Sequence, residues 1–254
     1  MLATLATRAR RIYKGFFLIL PMHLDLRKLD HHEIDISLPE SITEELAEET
    51  GLHIGDGTMN FYQKKETIKG SYSLRGHPID DKTHYDTGIM PLYKKLYDLR
   101  TLPRLMPSTG VYGFQKWSSL LVAFKHQLLG LPLGKKINIC IPNFFIQNHS
   151  LQKGVIRGIF DTDGTIYLQP KYGKLYPRIE IGTISHPLAL QLTSFLNRLG
   201  LRATVYLDKK NNLQWSDLYK VSVRGVPMLH QWIKTIEPHN PKHLHKYYYF
   251  LDHS

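Results

Sequence analysis

The stretch Lys153-Gly-Val-Ile-Arg-Gly-Ile-Phe-Asp-Thr-Asp-Gly-Thr-Ile166 decides the fold once it is set beside Leu46-Ala-Glu-Glu-Thr-Gly-Leu-His-Ile-Gly-Asp-Gly-Thr-Met59. Both end in Asp-Gly-Thr and an apolar residue, and their aspartates, Asp56 and Asp163, stand 107 residues apart. A domain-sized period implies two similar domains, not a solenoid. Small residues recur every fourth position, at Ala47, Gly51 and Gly55 and again at Gly154, Gly158 and Thr162. In a helix that spacing forms one ridge. Glycine costs about 1 kcal/mol in a helix interior, so the repeated ridge predicts two helices packed with their backbones unusually close. Ser41 or Thr43 is placed to cap the first helix, with Glu44 and Glu45 in the first turn, where the helix dipole favours carboxylates. Gly57 and Gly164 are expected as C-cap glycines.

A hairpin pattern follows each helix. Thr165, Tyr167, Gln169 and Lys171 alternate with Ile166 and Leu168, the chain turns at Lys171-Tyr-Gly-Lys174, and Arg178 and Glu180 alternate with Ile179 and Ile181. Such a ribbon has one apolar and one polar, basic face. The first half repeats it less cleanly, over residues 58–64 and 70–75. A helix is predicted over 187–199, a second hairpin over 203–224 joined at 209–212, and a helix over 228–236. Each half thus reads helix, two strands, helix, two strands, helix; the pattern of the first half is weaker between Leu99 and Gly113, where loop and strand are expected.

Composition narrows the function. The 254 residues carry a net charge of +11, and residues 151–254 hold 14 Lys/Arg against 7 Asp/Glu. Such an excess points to a polyanionic partner, most often nucleic acid. The single cysteine, Cys140, excludes an internal disulfide framework and a cysteine zinc cluster, fits a reducing compartment, and sits in an apolar run where burial is expected. No apolar run approaches the length of a membrane helix: Phe16 to Leu20 ends at Pro21. No signal peptide is evident, so a cytoplasmic or organelle-matrix location is expected. Residues 1–38 are read as an extension outside the main fold, with Met22 as an alternative start.

These features together resemble the LAGLIDADG homing endonucleases, of the monomeric two-motif kind. Ile156-Arg-Gly-Ile-Phe-Asp-Thr-Asp-Gly164 matches the nine-residue signature closely; Glu49-Thr-Gly-Leu-His-Ile-Gly-Asp-Gly57 departs more but keeps the glycine, leucine, acid and final glycine. The resemblance spans about residues 40–254. It implies an α+β fold of two pseudo-symmetric αββαββα domains, 39–146 and 147–254, with saddle-shaped antiparallel sheets and the motif helices as their interface. It implies a double-stranded DNA target, one cut in each strand leaving 3′ overhangs, and Mg2+, which Mn2+ can replace.

By the same resemblance Asp56 and Asp163 are the catalytic, metal-binding pair, joined by Gly55 and Thr162, with Lys136 and Lys242 assisting at the scissile phosphate. Carboxylates suit a hard divalent ion, and two of them on adjacent helix ends repel without one. Asp161, the motif's other acid, is expected in a structural role. DNA-binding candidates are Asn60, Tyr62, Lys64 and Arg75 in the first half. In the second they are Tyr167, Gln169, Lys171, Arg178, Glu180, Thr183, Lys220, Ser222 and Arg224. Thr183 stands where the family often has a polar residue, frequently glutamine.

Other signals carry less. Gly130-Leu-Pro-Leu-Gly-Lys-Lys136 has the wrong spacing for a phosphate loop. The histidines between His239 and His245 read as DNA-facing or solvated, and Tyr247-Tyr-Tyr-Phe250 as helix packing. The leading function is an intron-encoded endonuclease; the alternatives are an RNA-binding intron maturase and a non-cleaving DNA-binding regulator.

Overall fold

The computed structural model describes residues 24–29, 33, 35–64, 67–209 and 216–254, without the side chains of Lys28 and Lys64. The architecture is α+β, with two four-stranded antiparallel sheets flanking a central helix pair.

The pair is α1 (Glu44–Asp56) and α6 (His149–Asp163). Thr43 caps α1, its hydroxyl accepting from the Leu46 amide, and Glu44 and Glu45 occupy the first turn. Asn148 caps α6 through the Ser150 amide. The ridges meet as their spacing requires. A Cβ on Gly51 would lie 2.2 Å from the Val155 carbonyl oxygen, and one on Gly158 would lie 2.2 Å from that of Glu48.

In the first half, β1 (Gly57–Lys64) and β2 (Thr67–Gly76) form the hairpin. The chain continues through α2 (Lys82–His84), a π-helical turn over Tyr85–Ile89 and α3 (Met90–Tyr97). It then forms β3 (Arg104–Met106), β4 (Val111–Trp117), α4 (Ser119–Ala123), a second π-helical turn over Phe124–Leu128, and α5 (Asn143–Ile146). The sheet order is β1-β2-β4-β3.

The second half repeats this order. It contains β5 (Gly164–Lys171), β6 (Lys174–Thr183), α7 (His186–Arg198), β7 (Thr204–Asp208), β8 (Leu218–Arg224), α8 (Val226–Ile236) and α9 (Pro241–Asp252). Its sheet order is β5-β6-β8-β7. The β5–β6 turn places Tyr172 at φ 51° and Gly173 at φ 73°. Two consecutive positive φ values give the turn whose twist matches a hairpin. In both halves Ile, Leu, Val and aromatic side chains on one face of the sheet pack against the helices, while the alternate positions face outward.

Several expectations change. Gly57 and Gly164 are the C-caps of α1 and α6, as expected, their amides donating to the His53 and Phe160 carbonyls, but neither is left-handed: both are extended, at φ −74° and −93°, and lead straight into a strand. Glycine is needed for space: a Cβ there would lie 2.3 Å from the His53 ring or 2.1 Å from the Phe160 ring. Cys140 is exposed, not buried, because its neighbours Ile139 and Ile141 take the inward positions of that alternating run. The leader is not wholly outside the fold. Leu29 and Ile36 are buried in the core, Glu33 accepts from the Ser119 and Leu120 amides, and Ser37 donates to the Tyr97 carbonyl. Residues 1–23 of that leader, and most of the joint at 209–212, lie outside the described residues. Among the described residues, no helix is long and apolar enough to cross a membrane.

Candidate functional site

Asp56 and Asp163 end α1 and α6, so the close helix packing brings the two carboxylates together between the sheets. Burial and the neighbouring Asp163 and Asp81 push the Asp56 carboxyl up to about 8. Burial by the surrounding protein raises the Asp163 carboxyl to about 6, while Lys136 and Lys242 pull against the shift and Asp81 adds to it. Elevated carboxyls on adjacent helix ends mark a site short of positive charge. Two carboxylates flanked by backbone carbonyls form an oxygen-only donor set, which fits a hard divalent ion.

The carbonyls of Gly55 and Thr162 are both engaged by lysine. The Lys136 ammonium donates to the carbonyls of His53 at 3.2 Å, Ile54 at 2.7 Å and Gly55. It thereby closes the C-terminal end of α1, a favourable place for a cation, although burial lowers its pKa. The Lys242 ammonium lies 3.4 Å from the Thr162 carbonyl and 2.8 Å from Asp81 Oδ1. Both lysines of the sequence reading therefore reach the helix ends that carry the aspartates.

The surroundings of the two aspartates differ. On the Asp163 side a cavity of about 590 Å³ opens between the halves, lined by Gly55, Asn60, Lys136, Asp163 and Thr183 among others. On the Asp56 side the Tyr85 hydroxyl lies 3.3 Å from Asp56 Oδ2. Asp81, 5% exposed, is buried nearby. Gly76 is the strand-end counterpart of Thr183, since Gly57 pairs with Leu74 as Gly164 pairs with Ile181. A Cβ on Gly76 would lie 2.8 Å from the Tyr85 ring, 2.9 Å from Asp81 Oδ2 and 3.0 Å from Asp56 Oδ2. Asp81 and Tyr85 were not among the sequence candidates. They lie in a stretch with no motif of its own, and no sequence signal there marks them.

Beneath the pair, Glu48, Asp161 and His239 bring ligand-type atoms within 4.8 Å of one another. Glu48 accepts from Arg157 at 3.1 Å and pairs with His239 at 2.7 Å, and the His239 amide donates to Asp161 at 2.9 Å. This cluster ties α1 and α6 to the α8–α9 turn. Asp161, pushed up to about 7 by burial, thus has the structural partners expected of it. His239 belongs to this tie and not to a solvated histidine run.

The outward faces of the sheets hold most of the remaining candidates. Tyr62 is exposed and sits edge-on to Trp117, and Asn60 and Arg75 share its face. Lys64 is on the same face by register, and its side chain lies outside the described atoms. In the second half Tyr167, Gln169, Lys171 and Arg224 are exposed, and the Arg178 guanidinium lies over the Tyr167 ring at 5.0 Å. Glu180 and Ser222 are buried, at 3% and 1% exposure. Glu180 accepts from Tyr206 and pairs with Arg178 at 3.2 Å and Lys220 at 3.8 Å, so it aims basic side chains outward. Ser222 accepts from Arg224 at 3.3 Å. Thr183 falls on the opposite register, in the cavity wall, where its hydroxyl accepts from the Ser185 amide. Trp117 and Gln115, bonded to Ser71, share the outward face of the first sheet and were missed because that strand's alternation is weak in sequence.

Comparison with known proteins bears on the fold. Residues 150–234 match the family model of a LAGLIDADG-like domain. Among curated proteins no sequence relative matches. Solved structures share the fold. I-DmoI in complex with DNA and Ca superposes with a TM-score of 0.55 at 18% identity, covering 76% of this chain and 88% of that one. I-DmoI in complex with DNA and Mn gives 0.54 at 19%, covering 76% and 96%. A variant of the same protein with nicked target DNA and Mn gives 0.56 at 17%, covering 78% and 98%.

Proposed function

On the premise that this chain has the LAGLIDADG homing endonuclease fold, with a LAGLIDADG-like domain in its second half, we propose that it is a site-specific, metal-dependent, intron-encoded DNA endonuclease acting as a monomer. The carrying observation is the pair Asp56 and Asp163 on touching helix ends, set between two sheets whose outward faces carry Tyr62, Trp117, Lys171, Arg178 and Arg224. The I-DmoI structures that share this fold hold DNA with Ca or Mn, which supports the same reading.

A two-stranded ribbon can enter the major groove, and each sheet begins with one, β1–β2 and β5–β6. Lysine and arginine on these faces neutralise phosphates; the aromatic and amide side chains among them meet base edges and sugars. At the centre, Asp56 and Asp163 with the carbonyls of Gly55 and Thr162 would hold Mg2+ or Mn2+. Bound there, the ion supplies charge stabilisation and an activated water for phosphodiester hydrolysis. Lys136 and Lys242, already at the helix ends, donate toward the scissile phosphates once DNA displaces them from carbonyl partners. Twofold placement of the acids suits one cut in each strand across the minor groove, and the resemblance to the LAGLIDADG homing endonucleases implies that the cuts leave 3′ overhangs.

The test is cleavage of a plasmid carrying the joined-exon sequence of the host gene. Wild type with Mg2+ should linearise it, while Asp56→Asn and Asp163→Asn should bind and fail to linearise. Linearisation that survives both substitutions would overturn the assignment.

A further inference from the structure

The two halves end their central helices alike but hold their lysines differently. The residue that opens the helix after the second strand grips the other half in both cases. In the second half this is Ser185, fully buried, whose neutral hydroxyl donates to the Ile139 carbonyl at 2.7 Å. Ile139 lies just beyond Lys136, and Lys136 has no carboxylate hydrogen-bond partner among the described residues. In the first half it is Asp81, whose Oδ1 accepts from Asn240 Nδ2 and from Lys242 Nζ, both at 2.8 Å. Its other oxygen accepts from the His77 amide at 2.8 Å. Asp81 is therefore fixed from three sides, and one of its three partners is the lysine that serves the Asp56 side.

The same carboxylate crowds Asp56. Both Asp81 Oδ2 and Asp56 Oδ2 lie within 3.0 Å of the point where a Cβ on Gly76 would stand, so they are at most about 6 Å apart. The Tyr85 hydroxyl donates to the same Asp56 oxygen. Across the pseudo-twofold, Thr183 replaces Gly76, Ser185 replaces Asp81, and a cavity lies open beside Asp163.

From this asymmetry we propose that the two half-sites are unequal. The Asp163 half-site binds its divalent ion more tightly and cuts its strand first, and Asp81 is the positioning residue that delays the Asp56 half-site by holding Lys242. The proposal rests on the endonuclease reading, but its metal-binding part is measurable without cleavage. A neutral side chain at residue 81 leaves Lys242 free to reach a phosphate and removes a third negative charge from beside Asp56.

Two measurements on the full chain test it. In the first, Mn2+ is titrated by electron paramagnetic resonance. The tighter of two sites should be lost in Asp163→Asn and kept in Asp56→Asn; equal weakening in both variants overturns the inequality. In the second, each strand of an end-labelled duplex bearing the cleavage site is followed separately. Wild type should accumulate a nicked intermediate, with strand rates differing about tenfold or more. Asp81→Ser, which copies the other half, and Asp81→Asn should bring the ratio toward unity by accelerating the slow strand. Thermal melting verifies that the variants fold. Equal strand rates in wild type, or an unchanged ratio in two folded variants, overturn the role of Asp81. If no strand is cut while the two Mn2+ sites differ as stated, the endonuclease reading fails and the unequal metal sites stand.

Discussion

Gly51 and Gly158 meet backbone to backbone across the central helix pair. A Cβ on Gly51 would lie 3.0 Å from Gly158 Cα, and one on Gly158 would lie 2.9 Å from the Gly51 carbonyl carbon. Neither neighbour is a flexible side chain that can move aside. Alanine normally favours a helix over glycine by about 1 kcal/mol, but overpacking here costs more, about 1–3 kcal/mol beyond that gain. Gly51→Ala and Gly158→Ala should each lower the melting temperature by roughly 5 °C, given about 2–4 °C per kcal/mol at this size. Gly182→Ala, with nothing within 4 Å of its Cβ position, should leave it unchanged in the same calorimetric scan.

Glu49 and Lys125 are both fully buried and paired, and Tyr97 donates to the same carboxylate at 2.9 Å. The ammonium also lies 5.0 Å from the Tyr72 ring centre and 5.4 Å from that of Tyr97. Removing one partner strands a buried charge, at about 3–5 kcal/mol. Glu49→Ala and Lys125→Met should each shift the urea midpoint strongly downward. The double variant Glu49→Leu/Lys125→Met should recover a large part of that loss, because it leaves no unpaired charge.

The carboxyl of Asp56 sets a pH dependence whose sign is fixed. Its folded value, near 8, exceeds its ordinary 3.8. The folded chain therefore holds this proton more tightly than the unfolded one, so its stabilising contribution is complete below pH 3.8 and is lost as pH rises through 8. Asp163 contributes the same sign over a narrower window, up to about 6. Without divalent metal, stability should thus fall between pH 6 and 8 in wild type, and Asp56→Asn should flatten that interval. Added Mg2+ should raise the wild-type melting temperature most at pH 8, where the carboxylates are ionised, and should do so less in Asp56→Asn.

Glu180 orients Arg178 and Lys220 from below the outward face of the second sheet. Glu180→Gln should weaken duplex binding through misdirected cations even though it removes a negative charge. Lys171→Ala, at the exposed hairpin tip, should weaken binding to all duplexes alike and reduce the logarithmic salt slope by about 1, the value for one lost phosphate contact. Fluorescence anisotropy over a salt series separates the two effects.

Much of this architecture is legible in the chain itself. The doubled ridge Ala47-Gly51-Gly55 and Gly154-Gly158-Thr162 specifies close helices because helical periodicity is local and glycine there is otherwise unfavourable. The alternation from Thr165 to Ile181 specifies a hairpin because side-chain direction in a strand reverses at each residue. The sequence around β3 carries little signal, since a three-residue strand has too few alternations to read.

What the chain alone determined is therefore the repeat, the helix pair, the two aspartates at its end and the basic balance of the whole. Tertiary structure decided the rest. It set Glu180 and Ser222 beneath the face that Tyr167 and Arg178 present, brought Asp81 against Lys242 from 161 residues away, and left a cavity beside Asp163 while Asp81 and Tyr85 crowd Asp56. Those outcomes depend on which side chains meet across the two halves, and neither composition nor periodicity encodes a contact between residues so distant in the chain.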